Sequence, residues 1–396
     1  MNETPSANRK HIGIYGKTNA GKSALLNAIV GQQISLVSKV QGTTTDPVTK
    51  AMEFIPLGPV VFIDTAGLGD KSELGEIRVK RTLKELQRTD FALYVMDIND
   101  IDMDAYKETV TNFKKYSIPY MTVINKIDTT TEEIINKVKK EFHEAIFVSA
   151  DTEKNIMELK SEIIKRMQED EAELSILGEL LPYDSKIILV VPIDSEAPKG
   201  RIILPQVQCI RDALDHGIKS YVVRDTELES ALKDIKDVDL VITDSQAFKT
   251  VDNMVPNHIK LTSFSILFAR HKGDLQTFLQ GVKKIEDLKE NSNILMWESC
   301  THNTSHEDIG RVKIPRMLTK HLGNKLNFDF KGGQDAPENL EDYDLVIHCG
   351  ACMHTRKTML NRINMCREKG VAITNYGVVL AYLMGILDRS IEIFQL

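Results

Sequence analysis

Tryptophan is nearly missing from this sequence, with one in 396 residues, and cysteine is sparse and odd in number, with five. Such a cysteine set in a chain long enough to bury several cores excludes a disulfide scaffold and leaves reduced thiols or metal ligands as the expectation. A basic excess is lacking as well: 50 Lys and Arg face 57 Asp and Glu, a net charge of −7. That argues against a general binder of nucleic acid or of anionic membranes. The uncharged stretch Val371–Leu387 is broken by Thr374, Asn375, Tyr376 and Gly377, so it reads as strand, turn and helix, not as a membrane span. Met1–Lys10 is polar, so no secretory signal is expected, and the expected location is cytoplasmic. What remains is an ordinary globular balance, 42% hydrophobic and 27% charged, over a length suited to two or three domains.

Short apolar runs at His11–Tyr15, Val60–Asp64, Phe91–Asp97, Tyr120–Asn125 and Ala145–Ser149 read as buried parallel strands. Between them, Lys22–Val30, Leu74–Gln87, Asp104–Lys115 and Glu132–Phe142 have helical spacing, and a charged helix follows at about Lys154–Leu174. A first domain is therefore expected over 1–175. A second, small α/β run occupies 182–262, with strands at Lys186–Pro192, Lys219–Val223, Asp239–Thr243 and Ile259–Thr262. Its apolar strands Ile187–Val191 and Leu240–Ile242 read as an uncovered edge that invites pairing, so a homodimer is expected. A third run, 263–396, has strands at Asn293–Glu298, Lys325–Phe330, Leu345–His348 and Val371–Asn375. Its helices read as Leu275–Leu288, Pro315–Leu322, Lys357–Glu368 and Val378–Phe394. No long repeat is evident.

Gly16-Lys17-Thr18-Asn19-Ala20-Gly21-Lys22-Ser23 fits G-x-x-x-x-G-K-[ST] between a strand and a helix. Its glycines let backbone N–H groups, including that of Ala20, curl toward phosphates. Lys22 would bridge the β and γ phosphates, and Ser23 would bind magnesium. Asp64-Thr65-Ala66-Gly67 closes a strand. Asp64 would hold magnesium through water, and the Gly67 N–H would face the γ-phosphate. Asn125-Lys126-Ile127-Asp128 follows another strand. The Asp128 carboxylate can accept both guanine donors, a pair adenine does not offer, and a buried acceptor left unpaired rejects the wrong base. Lys126 would lie over the base, Asn125 would brace the loops, and Ser149-Ala150 would present an N–H to the guanine oxygen.

On these motifs residues 10–170 resemble a GTPase of the Era and TrmE type. Gly42-Thr43-Thr44-Thr45-Asp46 is similar to that group's first switch, and the resemblance implies that Thr44, or its neighbour Thr43, binds magnesium. Asn19 matches the asparagine that helps hold potassium in potassium-activated members. Leu68 stands where Ras-like enzymes place a water-orienting glutamine. Leucine cannot polarise water, so slow hydrolysis is expected, completed by potassium, another side chain or a second subunit. The fold class expected is α/β: a P-loop GTPase domain with a mostly parallel sheet, then two smaller α/β domains.

A second constellation lies near the C-terminus. Cys300-Thr301-His302 follows one expected strand and His348-Cys349-Gly350-Ala351-Cys352 another, with 45 residues between the two histidines. C-x-x-C spacing lets two thiolates from one turn reach one metal or cluster. Three readings are open on the residues alone: a 4Fe-4S cluster on Cys300, Cys349 and Cys352; zinc on those cysteines and a histidine; or a redox pair. Cys209 and Cys366 lie inside helical patterns and read as small buried hydrophobes. His306, His321 and His354 read as solvated or capping residues.

C-x-H … H-C-x-x-C behind an Era-like GTPase domain resembles the HydF family of FeFe hydrogenase maturation GTPases, along essentially the whole chain. The resemblance implies a dimer through the middle domain and a 4Fe-4S cluster. It also implies a scaffold for a di-iron precursor, built with radical-SAM maturases and delivered to the hydrogenase apoprotein. The fourth iron's ligand varies in that family. Candidates here, as ligand or in the surroundings, are His302, His348 and Glu298, which lies two residues before Cys300 and so on the same strand face. Two rivals remain: an Era-like ribosome-assembly or tRNA-modification GTPase with structural zinc, and a redox-sensing GTPase. The acidic balance, with no RNA-binding motif over 180–396, counts against the first.

Overall fold

The computed structural model describes residues 9–31, 48–55, 57–64, 85–86, 88–169, 174–193, 202–299, 308–333, 337, 339–352 and 354–395. The chain divides into two compact units, Met1–Ala172 and Glu173–Leu396. No described helix is long and apolar enough to cross a membrane.

In the first unit, β1 (Lys10–Tyr15), α1 (Lys22–Val30), β2 (Val48–Phe54), β3 (Gly58–Asp64), β4 (Phe91–Asp97), α2 (Met103–Lys115), β5 (Tyr120–Asn125), α3 (Glu132–Glu141), β6 (Ile146–Phe147) and α4 (Ile156–Glu169) follow one another. The sheet order is β2-β3-β1-β4-β5-β6. All neighbours run parallel except β2 and β3. The parallel strands are apolar on both faces because helices cover both sides. β2 was not foreseen. It is an edge strand joined to β3 by a short turn, and Lys50 and Glu53 break the apolar pattern that marks the central strands. Of the expected helix Leu74–Gln87, only Glu85 and Leu86 lie among the described residues.

The second unit holds two four-stranded, all-parallel sheets. The first contains β7 (Lys186–Val190), α5 (Leu204–Asp215), β8 (Lys219–Val223), α6 (Leu228–Asp234), β9 (Leu240–Thr243), α7 (Phe248–Met254), β10 (Lys260–Ser263) and α8 (Phe264–Lys272). After α9 (Leu275–Val282) the second contains β11 (Asn293–Trp297), a π-helical turn (Ile309–Lys313), α10 (Ile314–Leu322), β12 (Asn327–Lys331), β13 (Leu345–His348), α11 (Arg356–Glu368), β14 (Ala372–Asn375) and α12 (Tyr376–Leu383). The chain closes with α13 (Leu387–Ile391). The boundary expected at 262/263 falls inside β10, one residue before its end, and one apolar cluster runs through both sheets.

The two halves repeat one another, which reading the sequence alone did not reveal. Their orders, β10-β9-β7-β8 and β12-β11-β13-β14, both place the first strand beside the third, with the second strand outside it. Asp239 Oδ2 accepts the N–H of Lys186 at 2.8 Å, and Asp344 Oδ2 accepts that of Asn293 at 2.8 Å, so each ties the start of its half's first strand. Ser263 caps α8 and Asn375 caps α12 from the last residue of the preceding strand. Each half then lends a helix to the other. α9 packs on β14, where Thr374 Oγ1 donates to the Phe278 carbonyl at 2.9 Å. α13 packs on β10, where Thr262 Oγ1 donates to the Ser390 carbonyl at 2.8 Å. A Cβ at Gly281 would meet the Ile373 carbonyl oxygen at 2.0 Å, so only glycine lets α9 lie that close.

Two expectations are corrected here, and one helix was not foreseen. β7 and β9 are interior strands; the exposed edge is β8, with Tyr221 and Val222 at the surface. The expected helix Val378–Phe394 is broken at Gly385, whose φ of 73° is left-handed. α8 was missed because its apolar residues surround it: Phe264, Leu267 and Phe268 face one core, and Ile266 and Ala269 the other.

Trp297, the sole tryptophan, is buried in the second sheet. Leu261→Ala, in the first, is expected to destabilise the unit by roughly 2–5 kcal/mol and to lower the midpoint followed by Trp297 fluorescence. A fluorescence midpoint unmoved while circular dichroism shows an earlier transition would mean that the sheets unfold separately.

Candidate functional site

The carboxyl ends of β1, β3, β5 and β6 bring the first set of motif residues together. The loop leaving β1 is wound tightly: Gly16, Asn19 and Gly21 have φ of 140°, 67° and 86°. A Cβ at Gly16 would strike the Val95 carbonyl oxygen at 2.2 Å, and one at Gly21 the Asn125 amide nitrogen at 2.3 Å. Lys22 folds back over the loop, its Nζ donating to the carbonyls of Gly16 at 2.9 Å and Lys17 at 3.0 Å. Burial lowers its pKa, and the Asp64 charge partly opposes this. Ser23 Oγ donates to Asp64 Oδ2 at 2.5 Å, so the two expected magnesium-side residues meet.

Asn125 is buried and braces two loops: Nδ2 donates to the Ala20 carbonyl at 3.1 Å, and Oδ1 accepts the Ala150 N–H at 3.0 Å. Lys126 Nζ donates to the Asn19 carbonyl and to Asp97 Oδ2, both at 2.7 Å. Burial acts to raise the Asp97 pKa, but Lys126 and the Asn99 donors outweigh it and hold the carboxylate below its usual value. Asp128 is exposed in a short 3-10 turn, and Ser149 is buried, its Oγ accepting the Thr152 N–H. Asp97 and Asn99 carried no motif signal and emerge only from packing. Thr44, Gly67 and Leu68 lie outside the described residues, as do Cys300 and His302.

The second set lies at the carboxyl ends of the adjacent strands β11 and β13, where Trp297 pairs with His348. Cys349 N donates to the Trp297 carbonyl at 3.1 Å, continuing the ladder. Cys349 Sγ lies 3.1 Å from both the Ser299 N–H and the Ser299 hydroxyl. Ala351 has a φ of 55°, which turns the C-x-x-C loop. Cys349 and Cys352 are partly exposed, whereas Cys209 and Cys366 are buried. Burial raises both of the latter thiols, Cys366 to about 12. Among the described residues no group of three His, Cys, Asp or Glu side chains converges to hold a metal ion. Two soft thiols on one turn, one of them in contact with Ser299, are nevertheless the donor chemistry that a sulfur-ligated group would need.

The surroundings are more buried than expected. Glu298 is buried: Arg311 Nη2 donates to it at 3.1 Å and the Tyr376 hydroxyl at 3.4 Å. His354, read as solvated or capping, is also buried. His348 is fully buried, and burial, with the Arg362 charge beside it, holds its pKa well below the usual range. Arg362 lay unnoticed in a helical pattern. It donates to His348 and stacks 4.3 Å from the Trp297 ring centroid.

Comparison with known families finds three consecutive matches. Residues 11–126 match the 50S ribosome-binding GTPase domain, 176–273 the hydrogen maturase F dimerization domain and 276–393 the hydrogen maturase F tetramerization domain. The two maturase domains cover more than half of the chain. The chain belongs to the hydrogen maturase F family. It therefore joins an α/β P-loop GTPase domain to the family's two oligomerisation domains.

GTPase Der of Wolinella succinogenes is 37% identical over 177 residues, 42% of this chain and 37% of that protein. The tRNA modification GTPase MnmE of Legionella pneumophila is 36% identical over 160 residues, 39% of this chain and 33% of that protein. The chain thus spans about a third of the length of these curated relatives. A crystal structure of a tyrosine-to-alanine variant of Aquifex aeolicus Era bound to GDP and aluminium fluoride aligns at 20% identity with a TM-score of 0.33, over 54% of this chain and 93% of that one.

Asn125→Ala would leave the buried Ala20 carbonyl and Ala150 N–H without this partner, so it is expected to cost roughly 1–3 kcal/mol. Denaturation of the first unit without nucleotide measures this. An unchanged midpoint would mean that the two contacts contribute nothing.

Proposed function

We propose that the chain is a GTP-hydrolysing scaffold or carrier in FeFe hydrogenase maturation. It would bind a 4Fe-4S cluster and assemble or deliver the di-iron precursor to the hydrogenase apoprotein, in concert with radical-SAM maturases. One conjunction carries the reading: both maturase domains follow a GTPase domain in one chain, and the C-x-x-C loop of the last lies against Ser299, next to Cys300. Ribosome-assembly or tRNA-modification work finds no such support, because the Der and MnmE likenesses fit the GTPase domain alone.

In the nucleotide site, the loop Gly16–Ser23 would cradle the phosphates of GTP, with Lys22 on the β and γ oxygens and Ser23, Asp64 and Thr44 around magnesium. Asp128 would select guanine. Asn19, held by its carbonyl to Lys126, would help place an activating potassium ion. Cys300, Cys349 and Cys352 would hold the cluster, which when bound supplies an iron open to a non-cysteine donor. Glu298, His302 and His348 are the residues near enough in sequence to shape that position.

The test uses the whole chain under anaerobic conditions. GTP but not ATP is expected to turn over, faster in potassium than in sodium, and Lys22→Ala is expected to lose about 10²–10³-fold in rate with iron content unchanged. Cys349→Ser is expected to lower iron content and hydrogenase activation while GTP turnover persists. Equal ATP turnover would sink the base assignment. Full activation by Cys349→Ser would sink the scaffold reading.

We also infer that the dimer forms through the β8 edge. Seven of the thirteen large apolar side chains exposed among the described residues fall between Tyr183 and Val222. Val207 and Leu214 lie seven residues apart on one face of α5. Val222→Asp with Leu214→Asp is expected to shift light-scattering mass downward. A mass identical to the unchanged chain's would reject this surface.

A further inference from the structure

We propose that Arg362 is a positioning residue for the cysteine loop, acting through His348, and that the His348 imidazole is a strut and not a ligand of the cluster. This rests on the sulfur-site reading above and goes beyond it by assigning what holds that site in shape.

His348 ends β13, and its ring is enclosed. Nδ1 lies 2.8 Å from the carbonyl oxygen of Cys349. A carbonyl only accepts, so Nδ1 carries the proton. Nε2 lies 2.8 Å from Arg362 Nη1. A guanidinium only donates, so Nε2 accepts. A histidine ligand must offer a lone pair to the metal. With the proton on Nδ1, the lone pair is on Nε2, and here it is turned to Arg362. Cys349 follows the last residue of the strand, and the contacts of its sulfur are with Ser299.

Arg362 is itself fixed. Its guanidinium stacks on Trp297, the residue paired with His348 across the sheet, and its Nη2 donates to the Gly333 carbonyl at 2.5 Å. One chain of contacts therefore runs from Gly333 through Arg362 and His348 to the Cys349 carbonyl. Together with the bond from Cys349 N to Trp297, it holds both sides of the Cys349 backbone as the chain leaves the strand. Metal sites owe much of their affinity to such outer partners. Lysine could supply a charge at this place but neither the flat face over Trp297 nor two diverging donors.

The experiment reconstitutes the full chain with iron and sulfide and compares it with Arg362→Gln, Arg362→Lys and His348→Asn. Cluster loss to a chelator is timed, and pulsed paramagnetic resonance on chain labelled with ¹⁵N-histidine reads directly bound nitrogen. Arg362→Gln is expected to lose its cluster about tenfold faster or more, with Arg362→Lys between it and the unchanged chain. His348→Asn, whose amide can stand in for the Nδ1 donor, is expected to leave any bound-nitrogen signal unaltered. GTP turnover in the other unit and the Trp297 emission of each variant check that the chain is folded. If Arg362→Gln does not fold, the Arg362→Lys and His348→Asn comparisons decide. A bound-nitrogen signal that vanishes in His348→Asn, or cluster lifetimes equal in every folded Arg362 variant, would overturn the proposal alone. An unchanged chain that takes up no cluster would overturn the sulfur-site reading and this proposal with it.

Discussion

The second unit depends on an exchange of helices between two small sheets. A four-stranded parallel sheet is apolar on both faces and cannot be covered by its own crossovers alone at this size. Here α9, which follows the first half, closes over β14, and α13, at the chain's end, closes over β10. The threonine bonds Thr374 to Phe278 and Thr262 to Ser390 fasten the same joint twice. The consequence is one apolar cluster that both sheets share. Helix α8 sits between the halves and gives one face to each, which is why the chain there is apolar all round. A break in one half is therefore felt at the other, including at the strand ends that carry the cysteines.

Both candidate sites sit at the carboxyl ends of parallel strands, and both are assembled by contacts between main chain and side chain. At the nucleotide site Lys22, Asn125 and Lys126 all donate to carbonyls of the loop that leaves β1. At the cysteine loop the Cys349 main chain is tied to Trp297, His348 and Asn375. Backbone groups held in this way cannot drift without losing hydrogen bonds in a water-poor setting, where an unmade bond is costly. The sites are thus placed by the fold before any ligand contributes, which is what preorganised binding requires.

The sequence was most legible where chemistry needs residues at fixed spacing. The P-loop, Asp64, Asn125 and Lys126 stand together as their motifs required, because each motif is a strand-end loop whose neighbours are set by parallel pairing. Legibility failed where long-range contact decides. β2 pairs antiparallel at an edge and mixes charge into its pattern. The edge of the middle sheet was assigned to β7 and β9 because apolar runs look alike whether a strand is central or unpaired, and only strand order separates them. His354 read as a solvated or capping group and the burial of Glu298 was not legible, since burial of a polar side chain depends on partners from elsewhere in the chain, as Arg311 and Tyr376 are for Glu298. Arg362 gave no signal at all. An arginine in a helix reads as solvated until the helix is seen to aim it at Trp297.

The repeat shows where one half presents thiols while the other presents hydroxyl and carboxyl groups. Asp239-Leu240-Val241-Ile242 and Asp344-Leu345-Val346-Ile347 are the same strand with the same tie to the first strand of its half. The residues that follow diverge: Thr243-Asp244-Ser245 in one, His348-Cys349-Gly350 in the other. In both, this point is the crevice where strand order reverses, the place where open α/β sheets hold ligands. In the first half the polar groups there satisfy one another: Gln206 donates to Asp244 at 2.8 Å, and Ser245 and Ser265 share a hydrogen bond at 2.7 Å. In the second half the same position presents thiols instead, backed by a buried imidazole and a guanidinium. The scaffold is common to the two halves, so the scaffold alone does not confer the site. What confers it is the replacement of a few strand-end residues together with the buried partners that hold them, and those partners come from α11 and the π-helical turn, which the first half does not match residue for residue.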